Sequence, residues 1–459
     1  MMGKPVEREA KLFHVGFNLD DRLPLDHPLR RIDRVVDFSF VRPMVAALYG
    51  YNGHESLDPA LVLRLLFLCF FENVRSEREL MRQLPLRLDW LWFCRLDLDS
   101  EMPDHSVLSK ARRRWGERTF ERVFARVLEL CQSAGLLEGR TVHADSTLLR
   151  ANASLESRVS RTLWKQLEAT HSDEAAHCNA DASIATERDH SGDGNDRDGN
   201  DNTDADDSLQ APPPQAAPVQ AAPVQASPAK RSTRKKLNEC KKLNDWLISP
   251  VDPDAATSTR TKGGTTLGYR DHRQIDDQRG IILATLATPA DVDDGAMLAE
   301  LLARGVDYID VTPQEVVGDS MYGTRDNYAQ LEAEGIKAYL KKRRGKDSPK
   351  TSWLKLLPPD CSPSRALQLL GRRKNRAEGS FAEAHVRMNH RRCRWRRRWR
   401  TQIQCYLVAT VQNLKKLGQA RGRRRSLRPP NRISLVQALL EMWSSIKMHC
   451  RFTLTPSVD

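Results

Sequence analysis

Three carboxylates in this chain stand where strands and a helix can present them to hard cations. Asp145 lies in Thr141–Leu149, a stretch rich in β-forming residues in which Val142 and Ala144 alternate against His143 and Asp145. Asp319 follows Val316, Val317 and Gly318 at the C-terminal end of a short apolar strand, just before Met321-Tyr322-Gly323. Strand ends in an open sheet are where loops leave side chains free to face a cleft. Glu378 opens a predicted helix in Arg376-Ala-Glu-Gly-Ser-Phe-Ala-Glu-Ala-His385, with Phe381, Ala382 and His385 on its face. Such a set suits phosphodiester transfer, which uses two hard cations about 3.5–4 Å apart, one at the nucleophile and one at the leaving oxygen. Magnesium takes oxygen ligands and keeps several waters, so a few carboxylates from separate elements are enough. Taken singly, the aspartates read as cap or turn residues and Glu378 as a solvated helix residue. With 60 acidic residues in the chain, spacing alone does not select these three.

The elements that must position them divide by pattern. Residues from about 25 to 137 read as helical. Leu57, Leu61, Leu65 and Leu68 follow helical spacing in a nearly all-apolar stretch, and Ser76 opens a capping signal for a helix over Ser76–Leu84. Asp104 or Ser106 is placed to cap a basic helix at Val107–Trp115, and a further helix follows at Phe120–Leu130. From Thr141 the pattern changes. Strands are expected at Thr141–Leu149, Gly268–Ile275, Gly280–Thr288, Glu315–Asp319 and Ile336–Leu340. Helices are expected at Asp294–Arg304 and Thr324–Glu334, with a final helical stretch from Arg376 to about Leu417. This is an α/β arrangement, a mixed sheet with flanking helices, preceded by an all-α N-terminal domain. A polar insert interrupts it. Asp181–Asp207 is dense in Asp, Asn and Gly, and the near-repeat Gln-Ala-Ala-Pro-Val precedes the basic run Lys230–Lys242. That composition buries too little apolar surface to offset ordering entropy, so disorder is expected. A calcium loop at Asp196, Asp198 and Asn200 fails because Asp201 stands where glycine is required.

The formal net charge of +13 favours a polyanionic partner. No apolar run approaches the roughly 18 residues needed to cross a bilayer, and the N-terminus lacks a signal-peptide stretch, which leaves nucleic acid as the partner and no membrane. The nine cysteines are scattered without a C-x-x-C pair, which gives a zinc knuckle no support.

Several blocks, in order, carry a family resemblance. His27-Pro-Leu-Arg, Ser76-Glu-Arg-Glu-Leu and Pro103-Asp-His-Ser come first. Val142-His-Ala-Asp-Ser-Thr-Leu-Leu-Arg-Ala-Asn-Ala, Asp252-Pro-Asp-Ala, Leu267-Gly-Tyr-Arg and Thr288-Pro-Ala-Asp follow. Val317-Gly-Asp-Ser-Met-Tyr-Gly, Arg376-Ala-Glu-Gly-Ser-Phe-Ala-Glu-Ala and Gln412-Asn-Leu-Lys complete the set. Over most of its length the chain resembles the insertion-sequence DDE transposases of bacteria, whose catalytic domain has an RNase H-like fold. The resemblance implies that Asp145, Asp319 and Glu378 are catalytic and hold Mg²⁺ or Mn²⁺, two ions, with Asp145 bridging them. It further implies cleavage at the ends of an insertion sequence and strand transfer into target DNA. The partners would be double-stranded DNA, as terminal inverted repeats and target, and a second copy of the chain in the DNA complex. The expected location is the bacterial cytoplasm, at the nucleoid when bound to DNA. The expected organisation is a helical domain at 1–137 for DNA-end recognition or dimer contacts, catalytic segments at 138–154 and 246–418, the insert at 155–245, and a basic tail with a terminal helix at 419–459.

Two positions depart from the family pattern. A base is expected four residues before the glutamate, and Lys374 fills that place; His385 stands where a lysine is expected seven residues after it. An imidazole can donate to phosphate but lacks a fixed charge near neutral pH, so weaker or more pH-dependent activity is expected. Lys374 and His385 are DNA-contact candidates, together with Arg391, Arg392, Arg394, Arg396, Arg397 and Arg398, which are interleaved with Trp395 and Trp399. His143 reads as a packed strand residue, and Trp90, Trp92 and Phe93 as core. Two other readings stand beside the main one: a catalytically inactive DNA-binding remnant acting on terminal repeats, and a nuclease of the same fold without strand transfer.

Overall fold

The computed structural model describes residues 1–5, 18–51, 54–166, 243–261, 264–342 and 357–426. Most of the polar insert, including the Asp-rich stretch, and residues 427–459 of the basic tail expected to carry a terminal helix lie outside the described residues.

The N-terminal region is helical: α1 (Leu19–Arg22), α2 (Pro28–Asp33), α3 (Val41–Val45), α4 (Pro59–Phe71), α5 (Glu77–Gln83), α6 (Leu88–Cys94) and α7 (Ser106–Ser133). Asp58 caps α4 by accepting from the Ala60 amide at 3.2 Å, and Pro59 pre-sets the first turn. Apolar on every side, α4 is buried on every side, from Leu61 to Phe70. Its one charge, Arg64, is paired with Asp33 at 2.7 Å. Ser76 accepts from Glu79 N–H at 3.1 Å, as its capping signal implies, and Asp104 caps α7 through Ser106 N–H at 2.8 Å. The two helices expected around residue 116 are one element with a break. Gly116 sits at φ 64°, a conformation that glycine adopts without strain. Trp90, Trp92 and Phe93 are buried in the core.

Beyond α7 come β1 (Thr141–Arg150), β2 (Val159–Ser160), β3 (Leu247–Ile248), β4 (Ala256–Thr261), β5 (Gly264–Asp276) and β6 (Ile282–Pro289). After them follow α8 (Leu298–Ile309), β7 (Glu315–Gly323), α9 (Arg325–Ala333), β8 (Lys337–Lys342) and α10 (Pro363–Arg373). A π turn (Lys374–Glu378), α11 (Gly379–Arg387) and α12 (Arg398–Ser426) close the described chain. Residues 158–166 and 243–250 belong to a separate unit, in which β2 pairs antiparallel with β3. The main sheet runs β4-β5-β1-β7-β8, with β6 also on β5. Pairing is antiparallel among β4, β5, β6 and β1, and parallel from β1 through β7 to β8. The mixed sheet with flanking helices expected from the sequence is thus present.

One buried apolar cluster runs from Leu19 through the N-terminal helices and the sheet to Leu417 of α12. Phe124 of α7 packs on Tyr406 of α12 with ring centroids 5.6 Å apart. The polar side chains of α12 do separate work. Gln402 accepts from Ala287 N–H at 2.6 Å, while Asn413 accepts from Ile282 N–H and donates to its carbonyl, each at 2.9 Å. Helix amides thereby satisfy backbone groups of β6 that no neighbouring strand meets. Among the described residues no helix is long and apolar enough to cross a membrane.

The continuous helix expected from Arg376 to Leu417 is broken. Asn389 and Arg397 adopt positive φ (51° and 76°), and residues 388–397 leave the helix. The cause is pairing with the sheet: Arg150 N–H donates to the Arg391 carbonyl at 2.9 Å, and Cys393 N–H to the Arg150 carbonyl at 2.8 Å. The run Arg421–Arg425, within the basic tail expected from residue 419, continues the backbone of α12.

Candidate active site

Parallel pairing of β1 with β7 brings two of the three carboxylates level. Thr141 pairs with Glu315, Val142 with Val316 and His143 with Val317, a constant offset of 174 residues. The same offset carries Asp145 to Asp319, just past the last bonded pair, where the two strands part. Gly318 is closely packed there: a Cβ would come within 2.8 Å of Leu340 Cδ2 and 3.2 Å of Tyr322 Cβ, so a larger residue would make those side chains shift. Asp319 accepts from Met321 N–H at 2.8 Å, and Asp145 from Ser146 N–H at 2.9 Å. Tyr322 is buried, and its hydroxyl has no hydrogen-bond partner among the described residues.

Glu378 reaches the same place from the other side. It ends the π turn, in which Gly379 N–H bonds to the Lys374 carbonyl five residues back. Five residues of α-helix leave two side chains about 140° apart, whereas i→i+5 bonding returns them to nearly one face. Arg373 and Glu378 therefore face the sheet together. The Arg373 guanidinium lies 2.9 Å from Asp145 Oδ1 and 3.5 Å from Glu378 Oε1. Burial pushes the Asp145 carboxyl up to about 6; Arg373 opposes this and Asp319 adds to it. The sequence reading missed Arg373, because counting at α-helical spacing points to Lys374. Lys374 is exposed.

A buried polar network fastens α11 and α12 to the strand beside Asp145. Arg273 of β5 is the cross-strand partner of Asp145 and therefore shares its face. It donates to Asp271 at 2.8 Å, to Ser380 at 3.1 Å and to Gln412 at 2.9 Å, and lies 4.6 Å over the Phe381 ring. Asp271 is also bonded by Thr285 at 2.6 Å and by His390 at 2.9 Å. Burial alone would raise the Asp271 carboxyl, but Arg273, His390 and Thr285 hold it well below the usual range. Asp271, His390 and Cys405 lie close enough together to suggest a metal site, with ligand atoms within 4.8 Å of one another. Those donors are already engaged, since the second nitrogen of His390 is bonded to Gln404 at 3.1 Å. The oxygen-only set at Asp145, Asp319 and Glu378 is the better match for a hard divalent cation, and a protein cation already lies between two of its members.

His385 bonds Thr147 Oγ1 at 3.2 Å, two residues past Asp145 on the same face of β1, and stacks on Phe381. Burial, with the nearby His390, Arg391 and Arg273 charges, lowers its titration to about 4. It stays neutral near pH 7, so the extra pH dependence expected there from its titration does not arise from this residue. His143 is buried and bonded to Asp277 at 2.9 Å, in keeping with its packed reading.

The basic segment lies along the C-terminal end of β1. Arg391, Arg392, Arg397 and Arg398 are exposed; Arg392 reaches Asn152 at 3.2 Å, and Arg396, half-buried, bonds the Asn152 carbonyl at 3.4 Å. Arg397 and Arg398 present their amides to Asp252 and Asp254, each at 2.9 Å. Arg394 departs from the expected outward-facing row. Its guanidinium lies 4.2 Å over Phe70 and donates to the Val74 and Cys69 carbonyls, pinning the segment to α4. Trp395 packs edge-on against Phe70 and under Arg112.

Two family comparisons bear on this arrangement. A family described as "Transposase domain (DUF772)" matches residues 17–114, and one described as "Transposase DDE domain" matches residues 233–414. The second match includes Asp319 and Glu378, while Asp145 falls between the two. No curated protein and no solved structure matches the chain. The DDE match implies the RNase H-like fold, with which the mixed sheet and its flanking helices agree. A helical transposase domain followed by a DDE domain identifies this chain as a DNA transposase belonging to the insertion-sequence DDE transposases.

Proposed function

We propose that the protein cleaves DNA at the ends of an insertion sequence and joins the freed 3′-hydroxyl to target DNA, using Asp145, Asp319 and Glu378 to hold divalent cations. The observation that carries this reading is the meeting of carboxylates from β1, β7 and the π turn, with Arg373 already bridging two of them. Mg²⁺ or Mn²⁺ held there would supply the positive charge that activates the attacking oxygen and stabilises the leaving one. The chain's own part is positioning. Strands β1 and β7 fix the two aspartates, and the Arg273 network fixes the helix that follows Glu378, so the backbone that carries the carboxylates is held in place before substrate arrives. The exposed arginines at 391, 392, 397 and 398 would neutralise backbone phosphates and add a salt-dependent share of affinity. Handling two DNA ends implies a dimer in the working complex.

A second reading, a DNA-binding remnant without catalysis, draws on His385, which is neutral and turned to Thr147 where the family pattern has a lysine. The deciding experiment is cleavage of DNA carrying the element's own ends in Mg²⁺ or Mn²⁺. Wild type is expected to nick at the ends and form strand-transfer products, while Asp145→Asn, Asp319→Asn and Glu378→Gln bind DNA without nicking. Nicking without joining supports the nuclease reading, and tight binding without nicking by wild type supports the remnant.

A further inference from the structure

We propose that Arg373 is a resident counter-cation of the carboxylate site: its guanidinium occupies the place between Asp145 and Glu378 in the metal-free protein and must leave before a divalent cation takes both. This rests on the reading of those carboxylates as a metal site. Three observations support it. The guanidinium touches both carboxylates, at 2.9 and 3.5 Å, from a side chain only 12% exposed. Its Nε is buried without a hydrogen-bond partner among the described residues, so the group sits there for its charge and at the expense of one of its donors. The π turn is the third. Such turns are rare and cluster at functional sites, and this one is what puts residues 373 and 378 on one face. In a regular α-helix Arg373 would point away, leaving the carboxylates to repel one another until an ion arrived.

The consequence is a competition. Cation binding to the free protein is weakened by the fraction of molecules in which Arg373 holds the carboxylates, and the displaced guanidinium stays tethered one turn from Glu378. Conformational pre-occupation of this kind lowers apparent affinity in proportion to the competent fraction. If Arg373 holds the site in nine molecules of ten, its removal tightens binding about tenfold.

The test is Mn²⁺ titration of the full-length protein without DNA, read by electron paramagnetic resonance, for wild type, Arg373→Gln, Arg373→Lys and Asp145→Asn. Arg373→Gln is expected to bind Mn²⁺ about tenfold more tightly than wild type. Arg373→Lys, which keeps the charge but lacks the fork to span two carboxylates, is expected to fall between them. The melting temperature of Arg373→Gln should drop in EDTA and be raised by Mn²⁺ more than that of wild type. A merely structural arginine would lower stability without tightening Mn²⁺ binding. Affinity equal to or weaker than wild type in either Arg373 variant, with binding abolished by Asp145→Asn, overturns the counter-cation while the metal site stands. Binding that Asp145→Asn leaves intact overturns the metal-site reading and the inference with it.

Discussion

Asp145 and Asp271 share one face of the sheet, on adjacent strands, and each is paired with an arginine, yet their surroundings act on them in opposite directions. Asp271 spends both oxygens on Arg273, His390 and Thr285, and its carboxyl is held well below the usual range. Asp145 has one arginine, shared with Glu378, and a second aspartate beside it, and its carboxyl is pushed up to about 6. The first cluster closes its hydrogen bonds inside the protein and serves as structure. The second keeps unspent negative charge at a strand end where solvent and ligands can reach Glu378. A buried carboxylate therefore signals function when its charge is left over, and structure when it is matched.

The contrast can be broken by exchanging the consequences of mutation. Asp145→Asn should lower end-nicking on the order of 10³-fold or more while the melting temperature changes little, because neutralising a carboxylate that burial disfavours offsets leaving Arg373 with Glu378 alone. A nicking assay paired with thermal denaturation checks both halves, and a large loss of stability would erase the distinction. Arg273→Met should do the reverse. It leaves Asp271 buried without its cation, and denaturant unfolding should register a loss of about 3–5 kcal/mol.

A third prediction concerns pH. His272, on the opposite face of β5 and bonded to Thr288 at 2.8 Å, titrates near 4 because burial disfavours its charged form, with Asp294, Arg270, Asp271 and Glu300 as the charged groups around it. Its folded value lies below its unfolded one, so the unfolded chain takes the proton first as pH falls. The stability it contributes is complete above about 6.5 and is lost progressively towards 4, roughly 3 kcal/mol in all. Denaturation of wild type and His272→Gln across that range isolates this slope from other titrating groups; parallel curves would reject it.

The smallest effects divide the arginine segment by the same logic. Arg394, turned inward on Phe70, should cost about 1–2 kcal/mol on replacement by alanine. Exposed Arg391→Ala should leave stability unchanged and reduce the salt dependence of DNA binding by about one phosphate contact. Filter binding at several salt concentrations separates the two, and equal effects of both variants would mean that burial does not sort this segment.

Much of the element order follows from the sequence alone, although β2, β3, β4 and α10 are not among the expected elements. Period-two alternation marked β1 and its polar face, leucine spacing marked α4, and Ser76 and the Asp104/Ser106 pair announced helix starts, which Ser76 and Asp104 cap. The ordered motif blocks pointed to the family, because those features are local and each is written in a few consecutive residues. What the sequence left open depends on residues far apart. Arg373 rather than Lys374 meets the carboxylates because a π turn adds one residue to the helical count, and nothing in Lys374–Glu378 announces it. Residues 388–397 leave the helix because the end of β1 takes their backbone hydrogen bonds, and Arg394 turns inward because Phe70 and two carbonyls of α4 and its following turn lie beneath it. Helical periodicity is short-range, but which backbone groups find partners, and which charges are matched or left over, is settled only when distant strands and helices come together.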